Sequence, residues 1–254
     1  MEQQDTAPST EQTPTSLGTR IMNVFSAPSE LCTEVAAMPV QRSSWLVPYV
    51  LSMILVLFFT YALYNNESLR HQIMDMQMET MRQSVAEGNM SQAQFDAAEE
   101  QMQNVGLVSF MLLGGVSQVV FLTLMFFGLA LVLWLAGKFA LKSPAGYMKY
   151  LEITGLVSMV GWVGAIITLL LMYAFDSMHA TPSAALAVIG SYDVKNTMHK
   201  ILSSANVFSI WETAVIGIAF SKVSGKSMGM GMGVAFGLWI VWVAISVGLN
   251  LGFR

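Results

Sequence analysis

The chain has a single cysteine, Cys32, so no internal disulfide can form, and its three histidines fall at no Cys/His spacing of a zinc site. Charge is scarce as well. Asp, Glu, Lys and Arg make up 11% of the 254 residues, against about 25% in an ordinary soluble domain. The net charge of −4, with no basic cluster, argues against a nucleic-acid partner, because neutralising phosphates requires a basic face. Residues 1–20 lack the basic start and short apolar core of a secretory signal, so the first hydrophobic segment is expected to direct insertion itself. The sequence also lacks a nucleophile set beside a base, paired carboxylates at a catalytic spacing, and a phosphate loop. It is therefore not read as an enzyme, and no cofactor is expected.

What is present is apolar. Hydrophobic residues make up 54% of the chain and the mean hydropathy is +0.57, with charges absent from several long windows and crowded between them. This pattern predicts an all-α polytopic membrane protein, a five-transmembrane-helix bundle whose first partner is the lipid bilayer.

In chain order, residues 1–20 read as a disordered cytoplasmic tail, too polar to repay the entropy of ordering. Residues 21–44 read as a juxtamembrane surface helix, with Ser29 as a cap and Leu31, Val35 and Met38 on one side. Span 1 is placed at 45–64. Residues 65–104 carry seven acidic residues against Arg70 and Arg82, and Leu69, Ile73, Met76, Met81 and Val85 recur there at helical spacing. With Gly88-Asn89 as a stop and Ser91/Gln94 as a capping box, they predict an outer helical hairpin. Span 2 lies within 105–137, longer than a bilayer needs, and span 3 at 153–175, where Gly155, Gly161 and Gly164 permit close approach. An outer loop at 176–200 leads to span 4 at 201–221 and span 5 at 230–253.

The fourth span organises the functional reading, because Glu212 sits at its expected centre and a carboxyl group there needs shelter. At about 100° per residue, Asn206, Ser209, Glu212 and Thr213 share one arc of the helix as an intramembrane polar cluster. Two readings compete: a protonated, hydrogen-bonded carboxyl that glues helices together, or a proton, cation or substrate site. Glu152, beside Lys149 at a helix boundary, reads as an ordinary solvated charge. His179, His199, Asp176 and Asp193 match no metal pattern. Met74, Met76, Met78 and Met81 suit soft copper ligation in type but adaptable packing better, so no metal is expected. In the fifth span Gly229, Gly233 and Gly237 repeat every fourth residue, as do Ala244, Gly248 and Gly252. Both stripes read as helix-packing surfaces, internal to the bundle in preference to joining two copies.

Lys138, Lys142, Lys149, Lys222 and Lys226, with Arg20 and Arg42, fall on one side of the five spans. That side is expected to be cytoplasmic, with the N-terminus inside and the C-terminus outside.

Three stretches carry a family likeness. They are Phe25-Ser-Ala-Pro28 with Trp45-x-x-Pro48, the string LVLWLAGKF closing the second span, and Phe208-Ser-Ile-Trp211 through Gly217 to Ser224-Gly225. In this order the chain resembles the Yip (Ypt-interacting protein) family, particularly its bacterial-type members. The resemblance implies a five-helix bundle with a cytoplasmic N-terminus in a bacterial inner (plasma) membrane. In eukaryotic members it implies Rab GTPase binding and vesicle-membrane organisation, but their Asp-Leu-Tyr-Gly-Pro motif is absent here. The function expected is a non-enzymatic integral membrane protein that binds or organises membrane partners, either another membrane protein or a second copy of the chain. The alternative is a small transporter or channel subunit that uses the Glu212 polar wedge.

Overall fold

Local chemistry sets most of the helix starts in the computed structural model, which describes residues 14–103 and 105–249. The Ser16 side chain accepts from Thr19 N–H and opens α1 (Leu17–Ser26), and Pro28, whose missing N–H costs nothing in a first turn, opens α2 (Pro28–Ala37). Asn66 caps α4 (Glu67–Ala86). Ser91 and Gln94 form the reciprocal capping box of α5 (Gln92–Gln103), with Ser91 N–H donating to Gln94 Oε1 at 2.9 Å and Gln94 N–H to Ser91 Oγ at 3.3 Å. Gly88, at φ +76°, turns the chain between these two helices.

Among the described residues five helices are long and apolar enough to cross a membrane, and the chain is an integral membrane protein on that ground. They are α3 (Ser43–Asn65); the run Leu107–Ala140, made of α6 (Leu107–Phe110), a π turn (Met111–Gly115) and α7 (Val116–Ala140); α8 (Tyr147–Phe175); α10 (Val207–Ser224); and α11 (Met228–Gly248). All the described regular structure is helical. At 1.5 Å per residue the 34-residue second span is about 51 Å long, well beyond a hydrocarbon layer of about 30 Å. Large apolar side chains such as Phe121, Leu124, Leu170 and Ile240 stand outward on the spans, where lipid replaces water as their solvent.

The third of these spans, α8, is the axis of the bundle and packs against α3, α7 and α10. Its N-terminal half, Lys149 to Val160, is buried almost throughout. Small residues set the approach. Pro48 has no N–H to bond the Ser44 carbonyl, and that carbonyl and the Trp45 backbone lie where a side chain at Gly155 would have to go. Gly164 takes the Phe208 ring in the same way.

Three sequence expectations change. The helix expected from Ile201 is broken: α9 (Thr197–Ser204) ends at Ala205, and Asn206 caps α10 by accepting from Phe208 N–H at 2.9 Å. The Ser204 hydroxyl takes the Lys200 carbonyl and the Asn206 side chain takes the Phe208 N–H, so both compete with the helical backbone where the break falls. Glu212 therefore lies in the second turn of its span, not at the centre. The segment at 176–200 is a loop with one short helix, as the weakly apolar SAALAVIG allows: a 3-10 helix (Ala184–Ser191) precedes α9. The juxtamembrane helix is in fact two helices, without a Ser29 cap, and Leu31, Cys32 and Val35 of α2 are buried in the bundle core with Val215, Ala219 and Phe220 of α10. The tail is ordered from Ser16 onward, and Arg20 is buried, where residues 1–20 had read as disordered. Residues 1–13, and Gly252 of the small-residue stripe, lie outside the described residues.

Candidate functional site

The end of the bundle that holds α1 and α2 contains a buried charge cluster. Arg20 is 1% exposed and Glu152 0%. The Arg20 guanidinium donates through Nη1 to Glu152 Oε1 and to Ser44 Oγ, both at 3.0 Å, and through Nη2 and Nε to Glu34 Oε1 at 2.8 and 3.1 Å. Lys149 Nζ donates to Glu152 Oε2 at 2.7 Å and to the Met38 carbonyl at 3.0 Å, and the Gln41 N–H donates to Glu152 Oε1 at 3.1 Å. Two cations meet two carboxylates, so the cluster is electroneutral, and a buried charge is tolerated only when paired in this way. Burial alone would raise the Glu34 pKa. Hydrogen bonds from Thr15 and Arg20, with the Arg20 charge, outweigh that and hold it below the ordinary carboxyl value. Cys32 beside the cluster is enclosed, and burial pushes its thiol up to about 12. These elements fasten α1 and α2 to α8. Glu152, expected to be solvated, is the most enclosed acid of the group, since its helix boundary is roofed by α1 and α2.

At the opposite end a cavity of about 460 Å³ lies between α10, α11, the loop after α8, and α4, whose Met76 forms part of its wall. Asn206 and Ser209 line it, facing Trp239, Trp242 and Ser246 of α11. His179, Tyr192 and His199 stack in sequence, with centroid separations of 4.6 and 5.6 Å, and the first two reach the cavity wall. Burial pushes the His179 pKa down, which favours its neutral form.

The structure divides the expected polar cluster of the fourth span. Asn206 and Ser209 face the cavity. Thr213 turns inward and donates to the Ser209 carbonyl at 2.7 Å. Glu212 points to α8, where its Oε1 fills the space left by the missing side chain of Gly161. Among the described residues no side chain hydrogen-bonds to Glu212. No group of three His, Cys, Asp or Glu side chains gathers among them either. Asp176 accepts instead from Ser68 Oγ at 2.8 Å, and the His199 ring nitrogen Nδ1 accepts from Asp193 N–H at 3.0 Å. Of the methionines weighed for copper, Met76 lines the cavity wall and Met78 is buried.

The fifth span corrects a further expectation. Its internal packing runs through Gly231, which meets Gly217 and Ser221 of α10, and Ala235, buried in the core. Side chains placed at Gly229, Gly233, Gly237 or Gly248 would meet nothing within 4 Å. The repeat spacing was legible, but the face it occupies points away from the bundle.

Arg20 and Glu34 were not singled out as site residues from the sequence. Their signal was faint: an arginine and a glutamate 14 residues apart in two short segments, with the second acid of the arginine, Glu152, 132 residues away. Compared with protein-family models, curated proteins and solved structures, the chain matches none of them.

Proposed function

We propose that the chain is a non-enzymatic integral membrane protein that binds and organises other membrane proteins. In this reading α1 and α2 lie in the cytoplasm and the α4–α5 hairpin lies outside an inner (plasma) membrane of bacterial type. The lysine distribution and the Yip resemblance support that orientation.

The hairpin carries the proposal. It is tied down near its base, where Leu69 is buried with Leu63 and Met172 and the Gln72 side chain bonds both Asp176 and Met178. Farther along, α4 turns to α5, with Arg82 over the Phe95 ring at 5.9 Å. The remaining surface exposes Glu79, Glu87, Asp96 and Glu100. An ordered, acidic hairpin that adds little to the bundle core fits a basic extramembrane segment of a neighbouring membrane protein.

A photo-cross-linking residue at exposed Gln83 or Ala93 should yield a discrete adduct with one membrane protein in intact cells. The adduct should weaken as ionic strength rises, and the same residue at lipid-facing Ile240 should not give it. Absence of a protein adduct from both hairpin positions would refute the reading. The transporter alternative draws support from the cavity above Glu212. It is disfavoured by the close contact of Phe208 with Gly164, which shuts α10 against α8 directly beneath that cavity.

A further inference from the structure

The cavity at the hairpin end is lined by hydroxyl, amide, imidazole, thioether and aromatic groups. Among the described residues no Lys, Arg, Asp or Glu lines it. Its volume falls in the range of small-ligand sites, which are commonly about 300–1,000 Å³. The hydroxyl protons of Ser204 and Ser246 are already committed, each to a backbone carbonyl at 3.0 Å, so their oxygens present acceptor lone pairs. Ser203 donates to the Tyr192 hydroxyl at 2.9 Å, which leaves the tyrosine proton free to donate. Asn206 spends its carbonyl oxygen on capping α10 and keeps its amide donors. Two indoles, Trp239 and Trp242, supply flat apolar faces.

A phosphate or carboxylate is poorly matched to such walls. It can accept from Tyr192 and Asn206, but it brings no donor to the serine oxygens and finds no Lys or Arg. A sugar or polyol ring both donates and accepts through each hydroxyl, and its C–H face stacks on an aromatic plane. Trp242 is 49% exposed on the outer surface of α11 while also lining the cavity, so the space communicates with the lipid-facing side of that span.

We infer that this cavity binds a neutral, hydroxyl-rich headgroup, such as the sugar of a glycolipid, with the attached chains running down α11 in the bilayer. This goes beyond the partner-organising reading and does not depend on it.

The test uses the full chain in phosphatidylcholine nanodiscs, with native mass spectrometry counting retained lipids. Monoglucosyl diacylglycerol and phosphatidylglycerol of the same acyl chains are the probes. One glucosyl lipid should be retained per chain, with at least a tenfold preference over phosphatidylglycerol. Ser209→Leu, which fills the cavity, and Trp242→Ala, at a half-exposed position in its wall, should each remove that preference. The melting temperature of the Trp242→Ala protein should be unchanged. Competition by methyl glucoside would support recognition of the ring alone, whereas competition by glucosyl lipid only would support recognition of ring and chains together. Equal retention of the two lipids, or a preference that survives in the folded Trp242→Ala protein, would overturn the inference.

Discussion

Replacing Glu152 by leucine removes the acceptor shared by Arg20, Lys149 and the Gln41 N–H, and leaves two buried cations facing one carboxylate. Removing one partner of a buried ion pair typically costs about 3–5 kcal/mol, because the other charge is left uncompensated. The cheapest escape is for α1 and α2 to leave the bundle. At about 1.4 kcal/mol per tenfold change, their undocked population should rise from about 10²-fold to more than 10³-fold. The protein carries its own reporter. Cys32 is the sole cysteine, is 5% exposed, and sits in α2 with its thiol 3.9 Å from the Val215 carbonyl of α10, so a maleimide reaches it only when α2 lifts. Labelling at neutral pH should accelerate by the same factor in Glu152→Leu. The double variant Lys149→Met/Glu152→Leu restores neutrality and keeps the Arg20–Glu34 pair at 2.8 Å, so its rate should fall back to within about tenfold of the native protein. A single variant labelled at the native rate, or a double variant as fast as the single, would refute the electroneutral account.

The acid dependence of the same latch follows from Glu34, whose pKa is lowered in the folded protein. Its contribution is present above the ordinary carboxyl value of 4.5 and is lost as pH falls through the depressed one, so pepsin should begin to cut within α1 only below that range. Gly155→Val forces a side chain into the Ser44 and Trp45 backbone and should lower the melting temperature clearly, overpacking costing about 1–3 kcal/mol. Gly237→Ala, with open space around it, should leave the melting temperature unchanged or slightly higher, and a large drop would place a partner on that face. Glu212→Gln keeps the shape that fills the gap at Gly161 and should retain both melting temperature and cellular activity, whereas a folded variant without activity would indicate a titrating role.

The five spans were legible because hydropathy is a property of a single helix: length and the absence of charge suffice. The hairpin was legible for a similar reason, since its stop at Gly88 and its capping box at Ser91 act within a few residues. Contacts between distant segments were not. Lys149 and Glu152 are three residues apart and look like a boundary pair, and only the roof of α1 and α2 makes them a buried pair. The break before α10 left a trace in Ser203-Ser204-Ala205-Asn206, but a polar patch within an apolar run also reads as a wedge on an unbroken helix. Glycine periodicity likewise reports that α11 has a smooth face without saying whether protein or lipid lies against it.

The charge cluster also sets an order of events during synthesis. Arg20 precedes Glu152 by 132 positions, an interval of about 7–26 s at the usual 5–20 residues per second. For that time the arginine has no acid from α8 to meet, so α1 and α2 wait in water while the first two spans enter the bilayer. Only when the third span is in place can they fold down, and the bundle is then closed at that end by a part of the chain that left the ribosome before the first of these spans.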